Sequence, residues 1–125
     1  MEIAFTDREL DVMAVLWELE SATVTEVRER LDDTLAYTTV LTILRILEDK
    51  GYVRHEDEGR AHRFFPLVER QAAGQSALRR VVHKLFGGSP ELLLTQLVSD
   101  RDVSADDVRR MRALLARHLK QEEGA

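Results

Sequence analysis

Cysteine is absent from all 125 residues. Disulfides, thiolate zinc sites and thiol redox sensing are thereby excluded together, as suits an intracellular protein. No apolar run approaches the roughly 18 residues of a membrane span, and residues 1–20 alternate charge with apolar side chains where a secretory leader carries an apolar block. The expectation is a soluble, cytoplasmic protein with no membrane partner. Also missing are a glycine-rich phosphate loop, an HExxH pair and any Ser, His and Asp set placed by a recognisable motif. The acids are spread as helix surface and caps, so neither an enzyme nor a cofactor is expected. Positive charge is scarce too. The formal net charge is -5, and residues 1–66 hold 8 Lys and Arg against 15 Asp and Glu, while residues 67–125 hold 10 against 8. A nucleic-acid partner therefore requires a local basic footprint, which is sufficient because phosphates respond to charges within roughly 8 to 10 Å.

Such a footprint exists in two stretches. Residues 34–47 contain no acid, and across residues 60–84 six cations (Arg60, Arg63, Arg70, Arg79, Arg80 and Lys84) face Glu69 alone. The first stretch lies within AYTTVLTILRILEDKG, residues 36–51. A helical step of about 100° puts Val40, Ile43, Leu44 and Leu47 on one face and Thr38, Thr42, Arg45 and Asp49 on the other. The apolar face belongs in a core. The opposite face carries hydroxyls and a guanidinium, groups that meet base edges and phosphates in a major groove.

The flanking segments supply a context. Thr6-Asp7-Arg8-Glu9 is a capping box that opens a helix over 6–20, with Leu10, Met13, Ala14 and Trp17 on one stripe and Leu16 at its edge. Trp17 on that stripe reads as a core residue. Thr23 or Thr25 caps a short second helix running to about Asp33 and burying Val27 and Leu31. Gly51 ends the third helix, and residues 52–56 and 61–66 read as strands around Asp57-Glu58-Gly59-Arg60. Two helices, a tight turn and then a charged hairpin form the winged helix-turn-helix pattern. Arg54 on the first strand, with Arg60, His62 and Arg63 on the second, suit phosphates or a minor groove. The plainer alternative is a solvated hairpin whose charges keep an edge strand soluble. A turn centred on Glu58 and Gly59 faces His55 to His62, a two-nitrogen half-site with no Cys or third His to complete it. Paired or solvated histidines, and no metal, are expected there.

Beyond residue 68 the pattern turns wholly helical. A helix over 69–86 is stopped by Gly87-Gly88, Ser89-Pro90 starts another, and Ser104 to Asp107 caps a last one. Leu92, Leu93, Leu94, Leu97 and Val98 are more apolar than one side of a short helix can bury, and Val108, Met111, Leu115 and Leu119 recur at helical spacing. About 55 residues bury too little surface to close a core alone. Pairing with a second copy through Leu93, Leu97, Val108, Met111, Leu115 and Leu119 is the expected solution; folding back on the preceding domain is the alternative. The predicted fold class is mostly α with a small β-hairpin, a winged helix domain over 1–68 and a helical dimerisation region over 69–125.

TDRELDVMAVLWEL, TVTEVRERL, AYTTVLTILRILEDKGYV, GRAHRFFPLV and LFGGSPELLL, in this order and spacing, resemble the penicillinase-repressor family, the BlaI/MecI/CopY regulators. The most specific pieces are AYTTV, Arg60-Ala61 and Gly87-Gly88. The resemblance implies a homodimeric repressor that binds a double-stranded operator dyad and lets go on a signal, a regulatory protease being a further implied partner. By position it puts Thr38, Thr39, Thr42 and Arg45 on the recognition helix and Arg60 and Arg63 on the wing. Two departures stand out. Gln96-Leu97 occupies the place of the Asn-Phe bond cleaved in antibiotic-responsive members, and the chain ends KQEEGA without the cysteine-rich tail of copper-responsive ones. The remaining alternatives are a winged helix serving as a protein-interaction module and a metal-sensing regulator using His55 and His62.

Overall fold

In the computed structural model, residues 3–32 and 34–124 are described. They fall into two compact units, 1–79 and 80–125. The first begins with α1 (Asp7–Leu19), opened by the expected capping box: Thr6 N–H donates to Glu9 Oε1 at 2.8 Å and Glu9 N–H to Thr6 Oγ1 at 3.2 Å. Its buried side is Glu9, Val12, Met13, Val15 and Leu16. The expected stripe is thus rotated, and Leu10 is left 46% exposed. Apolar periodicity does not mark Glu9, which is buried because its carboxylate both caps the helix start and pairs with Lys50.

Glu20, at φ 70°, breaks the chain after α1, a left-handed conformation that an L side chain adopts at some cost. The turn lets Ala22–Thr23 (β1) pair with a later strand. Of the two candidate caps, Thr23 is the one used. It closes a second capping box with Glu26 at the start of α2 (Val24–Arg30), and Asp33, where the sequence places the helix end, lies outside the described residues. Arg28 Nε donates to Leu35 O at 2.9 Å and so braces the connection to α3 (Tyr37–Asp49).

Of the expected apolar face of α3, Val40, Leu44 and Leu47 are fully buried and Ile43 is partly buried against the same core. Its C-terminus closes with Gly51 at φ 83°, where Gly51 N–H donates to Glu48 O at 2.9 Å and Tyr52 N–H to Leu47 O at 3.0 Å. That pair of bonds is the Schellman closure, which favours glycine because the reversal needs a left-handed residue. Two strands follow, β2 (Val53–Glu58) and β3 (Ala61–Pro66), and the sheet runs β1-β3-β2, all antiparallel. β1 is too short to show alternation, which hid it from the sequence. Phe64 on the central strand is 1% exposed and packs with Val12, Met13, Leu16, Val27 and Leu44 in the core.

α4 (Arg70–Leu85) starts in this unit, with Ala73 buried and Ser76 Oγ exchanging hydrogen bonds of 3.1 Å with Ile3 N–H and C=O. These ties carry the compact unit past residue 68, into the helix. The second unit contains the end of α4, α5 (Pro90–Val98) and α6 (Ala105–Glu123), the last opened by a Ser104/Asp107 capping box. Neither α5 nor α6 has a buried residue. Leu97, Leu114, Leu115 and Leu119 stay open to solvent, and a recess of about 310 Å³ between α5 and α6 is lined by Pro90, Glu91, Leu93, Leu94, Leu97 and Leu115. Among the described residues, no helix is long and apolar enough to cross a membrane.

Glu9 joins the two ends of this framework. Only 4% exposed, it accepts from Lys50 Nζ at 2.8 and 2.9 Å, tying the start of α1 to the end of α3. Burial pushes its carboxyl up, but Lys50 and Thr6 outweigh burial and hold it below its ordinary value of 4.5. A lowered folded pKa contributes stability that is complete above the unfolded value and lost as pH falls through the folded one. Glu9→Gln should therefore be less stable than the parent at pH 7, with the gap narrowing below about pH 4.5 in urea melts. A gap that is constant down to pH 3 would show that the charge of Glu9 is not what matters.

Candidate nucleic-acid interface

Burying Val40, Leu44 and Leu47 fixes the rotation of α3 about its own axis, so its other side must face outward. Thr38, Thr39, Thr42 and Arg45 are all exposed. Thr42 Oγ1 donates to Thr38 O at 2.8 Å, which settles its hydroxyl and leaves its lone pairs outward. Among the described residues Arg45 has no hydrogen-bond or ion-pair partner. Ala36 provides no side-chain cap, so the positive end of the helix dipole meets solvent uncovered. Ile46, 42% exposed, shares this surface; an apolar group beside hydroxyls suits a thymine methyl. Its position one helical turn beyond Thr42 is the signal for it, but apolar residues are assigned to cores by default.

The hairpin register differs from expectation. His55 pairs with Phe64, Asp57 with His62 and Glu58 with Ala61, leaving Gly59-Arg60 as the two-residue turn. Gly59, at φ 61°, takes the first central position, where a type II′ turn calls for glycine. The sequence centred the turn one residue early because Glu58-Gly59 also reads as a turn pair. Arg60 consequently stands at the wing tip instead of on the second strand, exposed and without a partner among the described residues.

Arg63 is placed otherwise. Its guanidinium donates to both oxygens of Glu58 at 3.2 and 3.1 Å and to Ser21 Oγ at 3.3 Å, and stands 3.0 Å from Glu26 Oε1. Glu58, with Glu26 behind it, tightens the guanidinium's hold on its proton, while the Thr23 N–H and then Arg63 keep the Glu26 carboxyl below its ordinary value. Arg63 thus fastens the wing to the start of α2. Arg54 is also engaged, bonded to Glu56 at 2.8 Å and lying 4.2 Å over the ring of Phe65. The free cations of this surface are Arg45 and Arg60, among the described residues.

Several acids near this surface have partners of their own: Glu18 beside Arg30, Glu56 beside Arg54 and Glu58 beside Arg63, with Asp57 and Glu48 hydrogen-bonded to the imidazoles of His62 and His55. The three wing acids are thus engaged on the wing or at its base, and the helix itself bears no acid over 34–47. The expected pairing residues of the second unit are all at its surface: Leu97, Val108, Leu115 and Leu119 exposed, Leu93 and Met111 half-buried.

The chain matches the penicillinase repressor family over residues 5–117. It is 34% identical over 114 residues to the transcriptional regulator BlaI of Mycobacterium tuberculosis, covering 88% of this chain and 81% of that one. Identity to the penicillinase repressor of Bacillus licheniformis is 22% over 120 residues, 94% of either chain. The solution structure of the DNA binding domain of the repressor BlaI superposes with a TM-score of 0.50 at 32% identity, over 58% of this chain and 93% of that one.

If Arg63 fastens the wing, Arg63→Gln should speed amide exchange in the hairpin while leaving the slowest amides of α1 and α3 unchanged. Wing exchange at the parent rate would mean that strand pairing alone holds the hairpin.

Proposed function

The chain belongs to the penicillinase repressor family, and on that footing we propose that it is a transcriptional repressor that binds an operator dyad as a homodimer. The observation that carries this reading is the outward face of α3, with Thr38, Thr42 and unpartnered Arg45 beside a wing tipped by Arg60. α3 enters the major groove, its hydroxyls and Arg45 addressing base edges, while Arg60 meets the backbone or the adjacent minor groove. Thr39, near the uncapped end, is placed for a phosphate. Arg63 acts by holding the wing in position.

The dimer rests on surface. α5 and α6 expose Leu97, Val108, Leu115 and Leu119 with no buried residue on either helix, and a second copy covers such faces at no cost in new design. Residues 1–68 serve as the DNA-binding part and 69–125 as the pairing part, the first turns of α4 being tied into the first unit through Ala73 and Ser76. A two-fold dimer sets its recognition helices about 34 Å apart, or a multiple of that. Release follows a signal acting on the pairing helices. Proteolysis is one route, though Gln96-Leu97 is not the family's cleaved bond.

A mobility-shift assay against DNA from the chain's own promoter region should show affinity falling as salt rises, with competition only by a dyad. No shift at low salt with any genomic fragment would favour a protein-interaction module. Arg45→Ala and Thr42→Ala should each weaken binding by about 1 to 3 kcal/mol with unaltered thermal melts. Parent affinity in both would remove α3 as the reader. Leu115→Asp should sediment as monomer and lose dyad binding, since a carboxylate in an apolar seam is costly; an intact dimer would place the seam elsewhere.

A further inference from the structure

The register of the hairpin brings together a set of groups that neither the fold nor the proposed DNA contacts use. His55 and Asp57 on β2 and His62 on β3 lie on one face of the wing, with Asp57 directly opposite His62 and His55 on the diagonal. The two imidazoles are 4.6 Å apart between centroids, and one ligand atom from each of the three residues lies within 4.8 Å of the others. We propose that the wing holds a divalent first-row transition ion of the zinc class, ligated by His55, Asp57 and His62.

The donor chemistry suits that ion. Two imidazoles and one carboxylate form a borderline set that favours zinc, cobalt or nickel over magnesium or calcium. His62 Nδ1 and Asp57 Oδ1 are 2.9 Å apart, near the edge of about 3.3 Å in a tetrahedron built on bonds of about 2.0 Å. The ion therefore takes the place of the hydrogen these atoms share. The neutral ring of His62 keeps its proton by moving it to Nε2, so no charge is lost from the ligand. His55 is prepared differently: its Nδ1 faces both oxygens of Glu48 at 2.8 and 2.6 Å. A carboxylate only accepts, so Nδ1–H donates and Nε2 carries the lone pair. A carboxylate behind a ligating histidine is the usual outer partner in metal sites, fixing the tautomer and the ring's orientation. Glu48 comes from the last turn of α3, so the ion is linked to the far end of that helix. The three ligands leave a fourth position to water.

Charge gives the site a consequence, which rests on the repressor reading. Over β2, the turn and β3, three arginines (Arg54, Arg60, Arg63) balance Glu56, Asp57 and Glu58. A bound divalent ion adds two positive charges to this neutral wing and draws it toward phosphate.

The test titrates Co²⁺ into the untagged, metal-free full-length chain and follows its visible absorption, with Zn²⁺ as competitor. Saturation at one ion per chain is expected. The spectrum should vanish in His62→Ala and in His55→Ala, persist in His83→Ala and His118→Ala, and shift to about 10- to 100-fold weaker binding in Glu48→Gln. His55 and Asp57 are exposed and His62 half-buried, and far-UV circular dichroism of each variant confirms that it is folded. No saturable absorption in the parent chain, or the same isotherm in His62→Ala, overturns the site. The titration contains no DNA, so its failure is separate from failure of the repressor reading. A second arm compares binding to a promoter fragment in zinc and in chelator: tighter binding in zinc that His62→Ala abolishes supports the coupling, and equal affinity removes it.

Discussion

The rest of the structure depends on the burial of Val40, Leu44 and Leu47 along one side of α3. Side chains on a helix are spaced by a fixed angle, so placing these three out of water leaves no freedom in where Thr38, Thr42 and Arg45 point. Both ends of the helix are then held. Glu9 reaches from α1 to Lys50 beside the Schellman closure, and Arg28 braces the chain that leads in. A reader of DNA needs this rigidity, because base contacts discriminate only when their donors and acceptors are already in place.

Electrostatics is arranged by subtraction. The first unit is acidic overall, yet most wing acids lie against their own cations or histidines, and the exposed side of α3 over 34–47 carries none. Attraction to a polyanion then falls to a few unpaired groups at the protruding places, Arg45 and Arg60. Arg63 contributes differently, spending its charge inside the protein to fix the wing's attitude. The histidine and carboxylate cluster on the same hairpin offers a way to alter this balance without moving any element.

Much of this was legible in the residues. The capping box of α1, the Ser104 cap of α6, the C′ glycine after α3, the helix-turn-helix and the helical tail follow from local rules, because each is decided within about one turn of chain. What escaped was decided by partners distant in sequence. Glu9 reads as a helix-surface acid until Lys50 arrives across the core. β1 is two residues long and has no pattern of its own; it exists because Ala22 and Thr23 meet Phe64 and Arg63. The hairpin turn was placed one residue early, an error that matters more than its size, because a slip in register changes which side chains meet across the strands.

Sequence alone determined the order of the helices and the hairpin, the apolar and polar faces of α3 and the family, all of them carried by spacing along the chain. Tertiary structure alone decided which arginines are available and which histidines have neighbours. Arg60 and Arg63 look equivalent in the sequence, yet one caps an open turn while the other lies between Glu26 and Glu58. His55 and His62 were a bare pair until the strand register set Asp57 opposite one and the end of α3 brought Glu48 to the other. The physical reason is the same in both cases: a charge or a lone pair is defined by what faces it, and what faces it is chosen by folding.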